Sequence, residues 1–408
     1  MQMFLFICCY YLTNTMQKCT IIHMDNVILS RIDSYDSELL SDKFSEIFES
    51  LNLFHILKPK MRVLILPTLS GPSAPDAART THPSLICALV NVLSKNGIKC
   101  IVAASPYGKY DVQTLDKTYL ETGMIDAENV SKFELNHDLT ITKKNYENGV
   151  RAKSVTLLGI INDVDAIINV NKLIYDSKLG YLGAANNLMY LIPGELKTVA
   201  INRLTTLKDY YDYLLDLFGL LEDKIKLNIT DGIVTLEQGV QRMASFVGVS
   251  KNPIALDAAV LDVLGVNPHE SIVKVATDRG IVDITRPYRS MGDKVEDLII
   301  GDYNIGDFAL SSDITDAVKH SKLYFKSHQQ RTTISRDKCK GCMVCTKICP
   351  TGAISMKLDK NNERYAEIDY TKCIFCNKCY TACPYSVIDV KTPLKYKLIN
   401  KEIDKFNN

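Results

Sequence analysis

Three features that would assign this 408-residue sequence to a familiar class of protein are missing. Charge of one sign is not in excess: 48 basic side chains stand against 47 acidic ones, so a polyanionic partner such as a nucleic acid is not expected. No Gly-x-Gly-x-x-Gly follows a predicted strand and no Gly-x4-Gly-Lys-Ser/Thr occurs, so no nucleotide cofactor can be named. No apolar run reaches the ~20 residues that cross a bilayer, so a membrane partner is not expected either.

The sequence does contain one cysteine spacing twice near its C-terminus. The pattern Cys-x2-Cys-x2-Cys-x3-Cys-Pro spans residues 339–350 and again residues 373–384. It is similar to the ligand pattern of bacterial two-cluster ferredoxins, in which three cysteines surround one [4Fe-4S] cluster and the fourth ligates the other. This resemblance assigns cluster 1 to Cys339, Cys342, Cys345 and Cys383, and cluster 2 to Cys373, Cys376, Cys379 and Cys349.

A zinc site and a set of disulfides are the alternatives for these cysteines. Zinc would use four ligands with a wider gap between two pairs, and disulfides would need an oxidising compartment that nothing in the sequence indicates. Residues 331–391 also contain eleven basic and six acidic side chains. Two oxidised clusters with their thiolates would each contribute about −2, so cluster binding explains this basic stretch better than a solvated surface or a nucleic-acid patch.

The chain divides into four parts. Residues 1–23 are apolar at first, but no Lys or Arg precedes the apolar run and no small-residue cleavage site follows it; we expect a non-native extension, with Met24 as the initiator. Residues 24–330 are expected to form a large domain, residues 331–391 the two-cluster domain, and residues 392–408 a C-terminal tail. Oxygen-sensitive clusters indicate a cytoplasmic protein. They also suggest an anaerobe, and the absence of tryptophan with many Lys, Asn, Ile and Tyr residues suggests an AT-rich genome.

In the large domain, short apolar runs alternate with amphipathic stretches. This alternation predicts an α/β fold with a mostly parallel sheet covered by helices, followed by a small α+β ferredoxin-like domain. The helix at 83–95 has the clearest signals, with Pro83 suited to its first position and Gly97 to its end. The predicted strands are 62–67, 98–104, 165–170 and 226–230, and the other predicted helices are 212–222 and 253–264.

Candidate site residues come after these strands, because ligands bind at the carboxyl ends of strands in sheets of this kind. His82 follows the first of them, Lys172 the third and Asp231 the fourth, while Asp257 lies early in the last helix. Three of them have a plainer interpretation. Thr81 or His82 would cap the helix that Pro83 begins, Asp231-Gly232 would form an ordinary turn, and Lys172 would be a surface lysine.

Residues 24 to about 300 resemble the DUF362 family of uncharacterised proteins, many of which carry a C-terminal two-cluster ferredoxin module. The matching features are Val63–Pro67, Thr81-His82-Pro83, Asn96-Gly97, Ser105-Pro106, Ile168-Asn169-Val170 with Lys172, Asn187 before Ile192-Pro193-Gly194, Asp231-Gly232, and Pro253–Ala258. The chain departs from the family at Thr68, where asparagine is frequent, and it lacks both a histidine between Lys172 and Pro193 and a Gly-x-Gly-Pro stretch after Asp231-Gly232. The resemblance implies the fold and no established activity.

Two classes of function follow. In the first, the protein is an iron–sulfur oxidoreductase, in which low-potential electrons from two [4Fe-4S] clusters reach an unknown substrate near His82, Lys172, Asp231 and Asp257. In the second, it is a non-catalytic carrier whose large domain binds partner proteins, or a redox sensor. The redox partner or small-molecule substrate is not indicated by any motif.

Overall fold

The computed structural model describes residues 25–176, 179–201, 203–237, 240–301, 303, 310, 331–349, 351–370, 372–373 and 378–391. The expected N-terminal extension at 1–23 and the tail at 392–408 lie outside these residues. The strands of the large domain are β1 Asn26–Arg31, β2 Arg62–Pro67, β3 Lys99–Val102, β4 Phe133–Leu135, β5 Ile141–Asn145, β6 Ser154–Leu158, β7 Ala166–Asp176, β8 Gly180–Leu182, β9 Ile225–Glu237, β10 Val240–Ser250 and β11 Arg289–Gly292.

The helices of this domain occur between the strands. They are α1 Ser37–Ser50, α2 Pro83–Lys95, α3 Val112–Glu121, α4 Met124–Val130, α5 Ala184–Asn187, α6 Gly194–Ile201, α7 Leu207–Leu221, α8 Pro253–Val263, α9 Ile272–Asp278 and α10 Val295–Leu298. None of the described helices is both long and apolar enough to span a bilayer.

Nine strands form one sheet in the order β11-β1-β10-β9-β7-β2-β3-β4, with β8 paired to β7. The pairs β2–β3, β2–β7, β3–β4, β7–β9 and β1–β11 are parallel, whereas β1–β10, β9–β10 and β7–β8 are antiparallel. The predicted α/β fold with a mostly parallel sheet is therefore confirmed. The β7–β8 and β9–β10 pairs are antiparallel because in each of them the two strands follow each other directly, without an intervening helix.

Local signals explain the helix ends. α2 begins at Pro83, and His82 caps it by accepting a hydrogen bond from the Ser84 amide through Nδ1. Asn252 caps α8 in the same way, with Pro253 at the first position. α7 begins earlier than predicted, because Thr206 and Asp209 form a capping box in front of the leucine-rich segment.

Two strands are longer than the predicted ones. β7 continues through polar residues to Asp176, and β9 continues to Glu237. The turn interpretation of Asp231-Gly232 is wrong: both residues lie inside β9 and pair with Val247 and Phe246 of β10. A Cβ atom at Gly232 would lie 2.8 Å from the Phe246 ring, so glycine lets that ring pack against the strand.

The cysteine-rich region has its own small core. β12 Arg331–Ile334 pairs with β15 Ile388–Lys391, and β13 Ile354–Leu358 pairs with β14 Arg364–Ile368, both antiparallel. Two short helices, α11 Val344–Ile348 and α12 Lys378–Ala382, contact each other. The buried residues of this core are Cys345, Ile354, Ala366, Ile368, Cys379, Val387 and Ile388. This arrangement is the small α+β domain that the sequence predicts.

Candidate functional sites

A buried ion pair joins the two central strands of the large sheet. Lys172 of β7 and Asp231 of β9 are direct partners in the parallel register, and Lys172 Nζ lies 3.0 Å from Asp231 Oδ2. Their side chains are 1% and 0% exposed. The surface-lysine interpretation of Lys172 is therefore wrong. Because polar residues occur in this part of β7, the sequence pattern did not predict that the strand continues through the core.

Tyr35 and His82 cover this ion pair. The Tyr35 hydroxyl accepts a hydrogen bond from Lys172 Nζ at 2.6 Å and donates one to Asp231 Oδ1 at 2.8 Å. The His82 ring stacks on the Tyr35 ring with 3.8 Å between centroids, and the His82 amide donates to Asp231 Oδ2. Tyr35 was missed by the sequence reasoning, since it precedes α1 and lies 137 residues from Lys172. No local signal identifies it.

The protonation states at this site are set by burial and by neighbouring charge. Burial lowers the pKa of Lys172, and the Asp231 carboxylate opposes this shift. Burial also raises the pKa of Tyr35 well above its usual value, with Asp231 adding to the effect, so Tyr35 remains a neutral hydroxyl. Burial lowers the pKa of His82, Asp231 opposes this shift, and Lys172 adds to it, which favours a neutral imidazole.

The hydrogen bond that caps α2 also selects the His82 tautomer. Because Nδ1 accepts from the Ser84 amide, the proton of the neutral ring is on Nε2. His82 is half-buried, whereas Lys172 is enclosed. Nε2–H is thus a hydrogen-bond donor carried by the half-buried ring, and Lys172 is a second proton-bearing group of the same site. Such donors suit an oxygen atom that gains negative charge or a proton.

Asp257 belongs to a second polar cluster and contacts none of the other three candidates. Its carboxylate accepts hydrogen bonds from the Ala184 and Ala185 amides at 2.6 and 3.0 Å, so it caps the start of α5. The buried Tyr181 hydroxyl lies beside it, near Asn171 and Thr230. Side chains alternate between the faces of a sheet, which places Asn171 and Thr230 on the face opposite Lys172 and Asp231.

Burial raises the pKa of Asp257 to about 7 from its usual 3.8. A native carboxyl that keeps its proton longer than the unfolded chain does makes the protein less stable as pH rises from about 4 to about 7. The asparagine side chain of the Asp257→Asn variant does not titrate, so this substitution removes the pH dependence of stability. The unfolding free energy of the wild type, relative to that of the variant, is expected to fall by on the order of 4 kcal/mol between about pH 4 and about pH 7. Anaerobic thermal melts from pH 4 to 8 would measure it.

The exposed Asp42 of α1 provides the matched control for this experiment. Asp42→Asn should leave the pH dependence of the melting temperature unchanged. If the melting temperatures of the wild type and of Asp257→Asn changed in parallel from pH 4 to 8, the raised pKa of Asp257 would be contradicted.

A network of hydrogen bonds between buried polar side chains connects β2, β7 and β9 of the large sheet. Asn169 Nδ2 donates to Asn228 Oδ1 at 2.9 Å, and Asn187 Nδ2 donates to Asn169 Oδ1 at 2.8 Å. Thr68, where the family often has asparagine, donates to Asn187 Oδ1 at 2.6 Å and accepts from the Lys172 amide at 2.9 Å. Since buried polar groups are costly unless they are paired, this network fixes the positions of β2, β7 and β9 relative to α5.

A second buried lysine, Lys197 of α6, lies at the end of β3 and was also missed. Its Nζ donates to the Ser105 carbonyl and lies 4.8 and 4.6 Å from the ring centroids of Tyr107 and Tyr190. Burial holds the pKa of Lys197 well below its usual value. The two aromatic rings stabilise charge on the amine through cation–π contacts, the Glu195 carboxylate opposes the lowering of its pKa, and the contacts of Lys197 attach α6 to the loop that follows β3.

Four of the predicted cluster ligands line one cavity of the small domain. Cys339, Cys342 and Cys345 of the first cysteine pattern meet Cys383 of the second pattern there. The Ala366 amide donates to Cys339 Sγ at 3.4 Å, the kind of hydrogen bond that stabilises a thiolate ligand. Gly341 has a φ of +61°, and a Cβ atom there would lie 2.8 Å from Arg364 Cβ. Four sulfurs around a cavity and an amide directed at one of them fit a [4Fe-4S] cluster.

The other predicted ligands are described in part. Cys349, Cys373 and Cys379 pack on or within the small core, and the Ala353 amide donates to Cys349 Sγ at 3.2 Å. Cys376 lies outside the described residues. Cys339, Cys342, Cys345, Cys349 and Cys383 form no disulfide. Among the described residues, no three side chains of the His, Cys, Asp or Glu type lie close enough together to hold a single metal ion.

The fold and the cysteine-lined cavity together define an iron–sulfur protein with a ferredoxin-type electron-carrier domain and a large α/β domain. Comparison with family models agrees. Residues 63–262 match the domain of unknown function DUF362, and residues 338–387 match the 4Fe-4S dicluster domain. The chain therefore carries a DUF362 domain followed by a 4Fe-4S-binding domain, as the resemblance of the sequence implies.

Similarity to individual proteins is more distant. The thylakoid-associated protein sll1697 of Synechocystis sp. is 25% identical over 267 residues, which cover 62% of this chain and 79% of that protein. Among solved structures, the lactate racemase apoprotein from Thermoanaerobacterium thermosaccharolyticum matches with a TM-score of 0.34 and 12% identity. That match covers 56% of this chain, and the chain spans 55% of the racemase.

Proposed function

We propose that this protein binds two [4Fe-4S] clusters and transfers single electrons to a substrate of its α/β domain, in the cytoplasm. The observation that supports it best is the shared cavity, because Cys383 joins Cys339, Cys342 and Cys345 across 38 residues or more of sequence. Such a crossing is the ligand arrangement of two-cluster ferredoxins. By the same pattern, Cys349 would complete the second site with Cys373, Cys376 and Cys379.

The protein residues contribute ligation and tuning. When bound, a [4Fe-4S] cluster takes up or releases one electron at a potential set by charge, burial and hydrogen bonds to sulfur. The Ala366 and Ala353 amides, which donate to Cys339 and Cys349, favour the electron-rich state because they stabilise negative charge on sulfur. Eight cysteine ligands also account for the basic composition of the surrounding chain.

In the α/β domain we assign the substrate contacts to the cluster of Tyr35, His82, Lys172 and Asp231. His82 Nε2–H would donate to a carbonyl or carboxyl oxygen of the substrate. The Tyr35 hydroxyl would hold the site in place by accepting from Lys172 Nζ and donating to Asp231 Oδ1, and Lys172, whose pKa is lowered by burial, would supply a proton. The Asp231 carboxylate opposes the lowering of the Lys172 pKa by burial. These roles suit the reduction of an oxygen-bearing group, which needs protons as well as electrons.

The cluster count is tested by composition. Two [4Fe-4S] clusters predict about eight iron and eight sulfide ions per chain after anaerobic purification or reconstitution of the full chain. The fully reduced protein should then give an EPR spectrum broadened by magnetic interaction between two centres. About four iron ions and one uncoupled signal would instead mean a single cluster.

The enclosure of Lys172 and Asp231, at 1% and 0% exposure, favours a second candidate: a non-catalytic carrier whose large domain docks other proteins. The two candidate functions predict different effects of His82→Ala on the rate at which small acceptors reoxidise the reduced protein. If the domain is catalytic, an oxygen-bearing acceptor that reoxidises the reduced wild-type protein should react far more slowly with His82→Ala protein. If the domain only docks partners, the variant and the wild type should be reoxidised at equal rates by every small acceptor.

A further inference from the structure

The cavity lined by Cys339, Cys342, Cys345 and Cys383 opens to the protein surface on one side. Cys342 is exposed, whereas Cys345 is buried and Cys339 and Cys383 are intermediate. A cluster in this cavity would therefore lie closest to solvent at Cys342. Electron transfer between proteins needs a short path from one centre to the other, so the surface around Cys342 is where a redox partner would have to bind.

Apolar side chains surround this opening. Met343, Val344 and Tyr385 line the cavity and are also 41%, 36% and 52% exposed. Ile348, one turn further along α11, is exposed as well. Large apolar side chains that are exposed together at the mouth of a site are typical of the centre of a protein interface.

Lysines lie beside these apolar residues. Lys338, Lys340 and Lys347 are exposed, and none of them forms an ion pair with any described residue. Asp337 is the only acidic residue between positions 336 and 349. The seven residues Met343, Val344, Ile348, Tyr385, Lys338, Lys340 and Lys347 are called the Cys342 face below. It has an apolar centre and a basic edge, the usual anatomy of a transient interface.

We propose that the Cys342 face is the docking site of an acidic electron-transfer protein, an inference that rests on the proposed binding of a cluster by Cys339, Cys342, Cys345 and Cys383. The charge selects the partner, because unpaired lysines attract an acidic surface and accelerate encounter. The same face of a second copy of this chain would present the same lysines and be repelled. In each encounter the partner is oxidised by one electron and the cluster is reduced by one, or the reverse, and no bond forms or breaks.

The test measures electron transfer into the full-length holoprotein from a reduced, strongly acidic two-cluster ferredoxin by anaerobic stopped-flow absorbance. The face variant is Lys340→Glu/Lys347→Glu. The matched control is Lys357→Glu/Lys360→Glu, which makes the same charge change at exposed lysines of the same domain that do not line the cavity. The bimolecular rate constant should fall by about tenfold or more in the face variant and by less than about twofold in the control.

The salt dependence of the wild-type rate provides a measurement that needs no variant. The rate constant should fall steeply as NaCl is raised, because screening removes the attraction. Equal rates for the face variant and the control, or a wild-type rate that is flat or rises with salt, would overturn the proposal. So would loss of binding to anionic phospholipid vesicles in the face variant with an unchanged electron-transfer rate, since the face would then bind membrane.

Cluster content separates this inference from the proposed function. Iron analysis and EPR spectra of each protein show whether the clusters are present. Absence of clusters from the wild type would refute the proposed function itself. Intact clusters with no effect of the face variant would refute only the docking site. If the face variant alone loses iron, its electron-transfer rate no longer tests the docking site. The salt dependence of the wild-type rate then tests it: a steep fall supports the docking site, and a flat or rising rate refutes it.

Discussion

Replacing Cys383 with alanine is expected to remove the cluster that Cys339, Cys342 and Cys345 surround, although Cys383 belongs to the other cysteine pattern. The four side chains line one cavity, and a cubane cluster with three thiolates is labile because its fourth iron is open to solvent. The variant should retain about half of the wild-type iron. Its reduced EPR spectrum should lose the broadening that two interacting centres produce. Iron analysis and EPR of the anaerobically purified full chain measure both.

Two further variants control this experiment. Cys349→Ala should give the reciprocal loss, leaving the cluster of Cys339, Cys342 and Cys345 in place. Cys100→Ala removes a buried cysteine of β3 in the large domain and should leave the iron content unchanged. If Cys383→Ala instead damaged the cluster of Cys373, Cys376 and Cys379, each pattern would hold its own cluster and the crossing would be refuted.

Replacing Asp231 with asparagine is expected to cost about 3–5 kcal/mol of unfolding free energy, because it leaves the Lys172 ammonium buried without its counter-charge. The loss should be largest at low pH. At high pH, Lys172 can become neutral more readily, since burial already lowers its pKa and Asp231 no longer opposes that shift. Anaerobic urea denaturation of the full chain, followed by far-UV circular dichroism, measures the difference.

A surface ion pair provides the matched control for Asp231. Lys274 and Asp278 lie one turn apart on α9, with Nζ and Oδ1 at 2.5 Å and both side chains in contact with solvent. Asp278→Asn should cost less than about 1 kcal/mol, because exposed pairs contribute little. The double variant Lys172→Met/Asp231→Leu should recover much of the stability lost in Asp231→Asn. Equal costs for the buried and the surface variant would mean that the Lys172 site is hydrated.

The elements with strong local signals could be predicted from the sequence. β2 and α2 have the predicted bounds, 62–67 and 83–95, because an apolar run bounded by turn residues and a proline-initiated helix are local patterns. The predictions that failed concern residues whose environment depends on distant parts of the chain. Polar residues at the ends of β7 and β9 suggested loops, but they face partners in adjacent strands. The prediction that Asp231-Gly232 forms a turn was wrong for this reason.

The candidate site was predicted in part. Lys172 and Asp231 come together because β7 and β9 are parallel neighbours in which these residues are direct partners, and the His82 amide donates to Asp231 Oδ2. Tyr35 was not predicted, since only the pairing of β1 with β10 brings it to this site. Asp257 was grouped with the others because it lies early in the helix that begins at Pro253, yet side-chain alternation along the strands places its cluster on the opposite face of the sheet.

The antiparallel pairing of β12 with β15 has a consequence for how the protein is made. This pairing joins the first and last strands of the small domain, and Ile334 and Ile388, one on each strand, both line the cavity that contains Cys339 and Cys383. During synthesis, the walls of this cavity cannot come together until residue 388 has left the ribosome. Iron delivered to the nascent chain before then would find only three of the four thiolates of the proposed site, so a cluster there could be completed only after β15 has emerged.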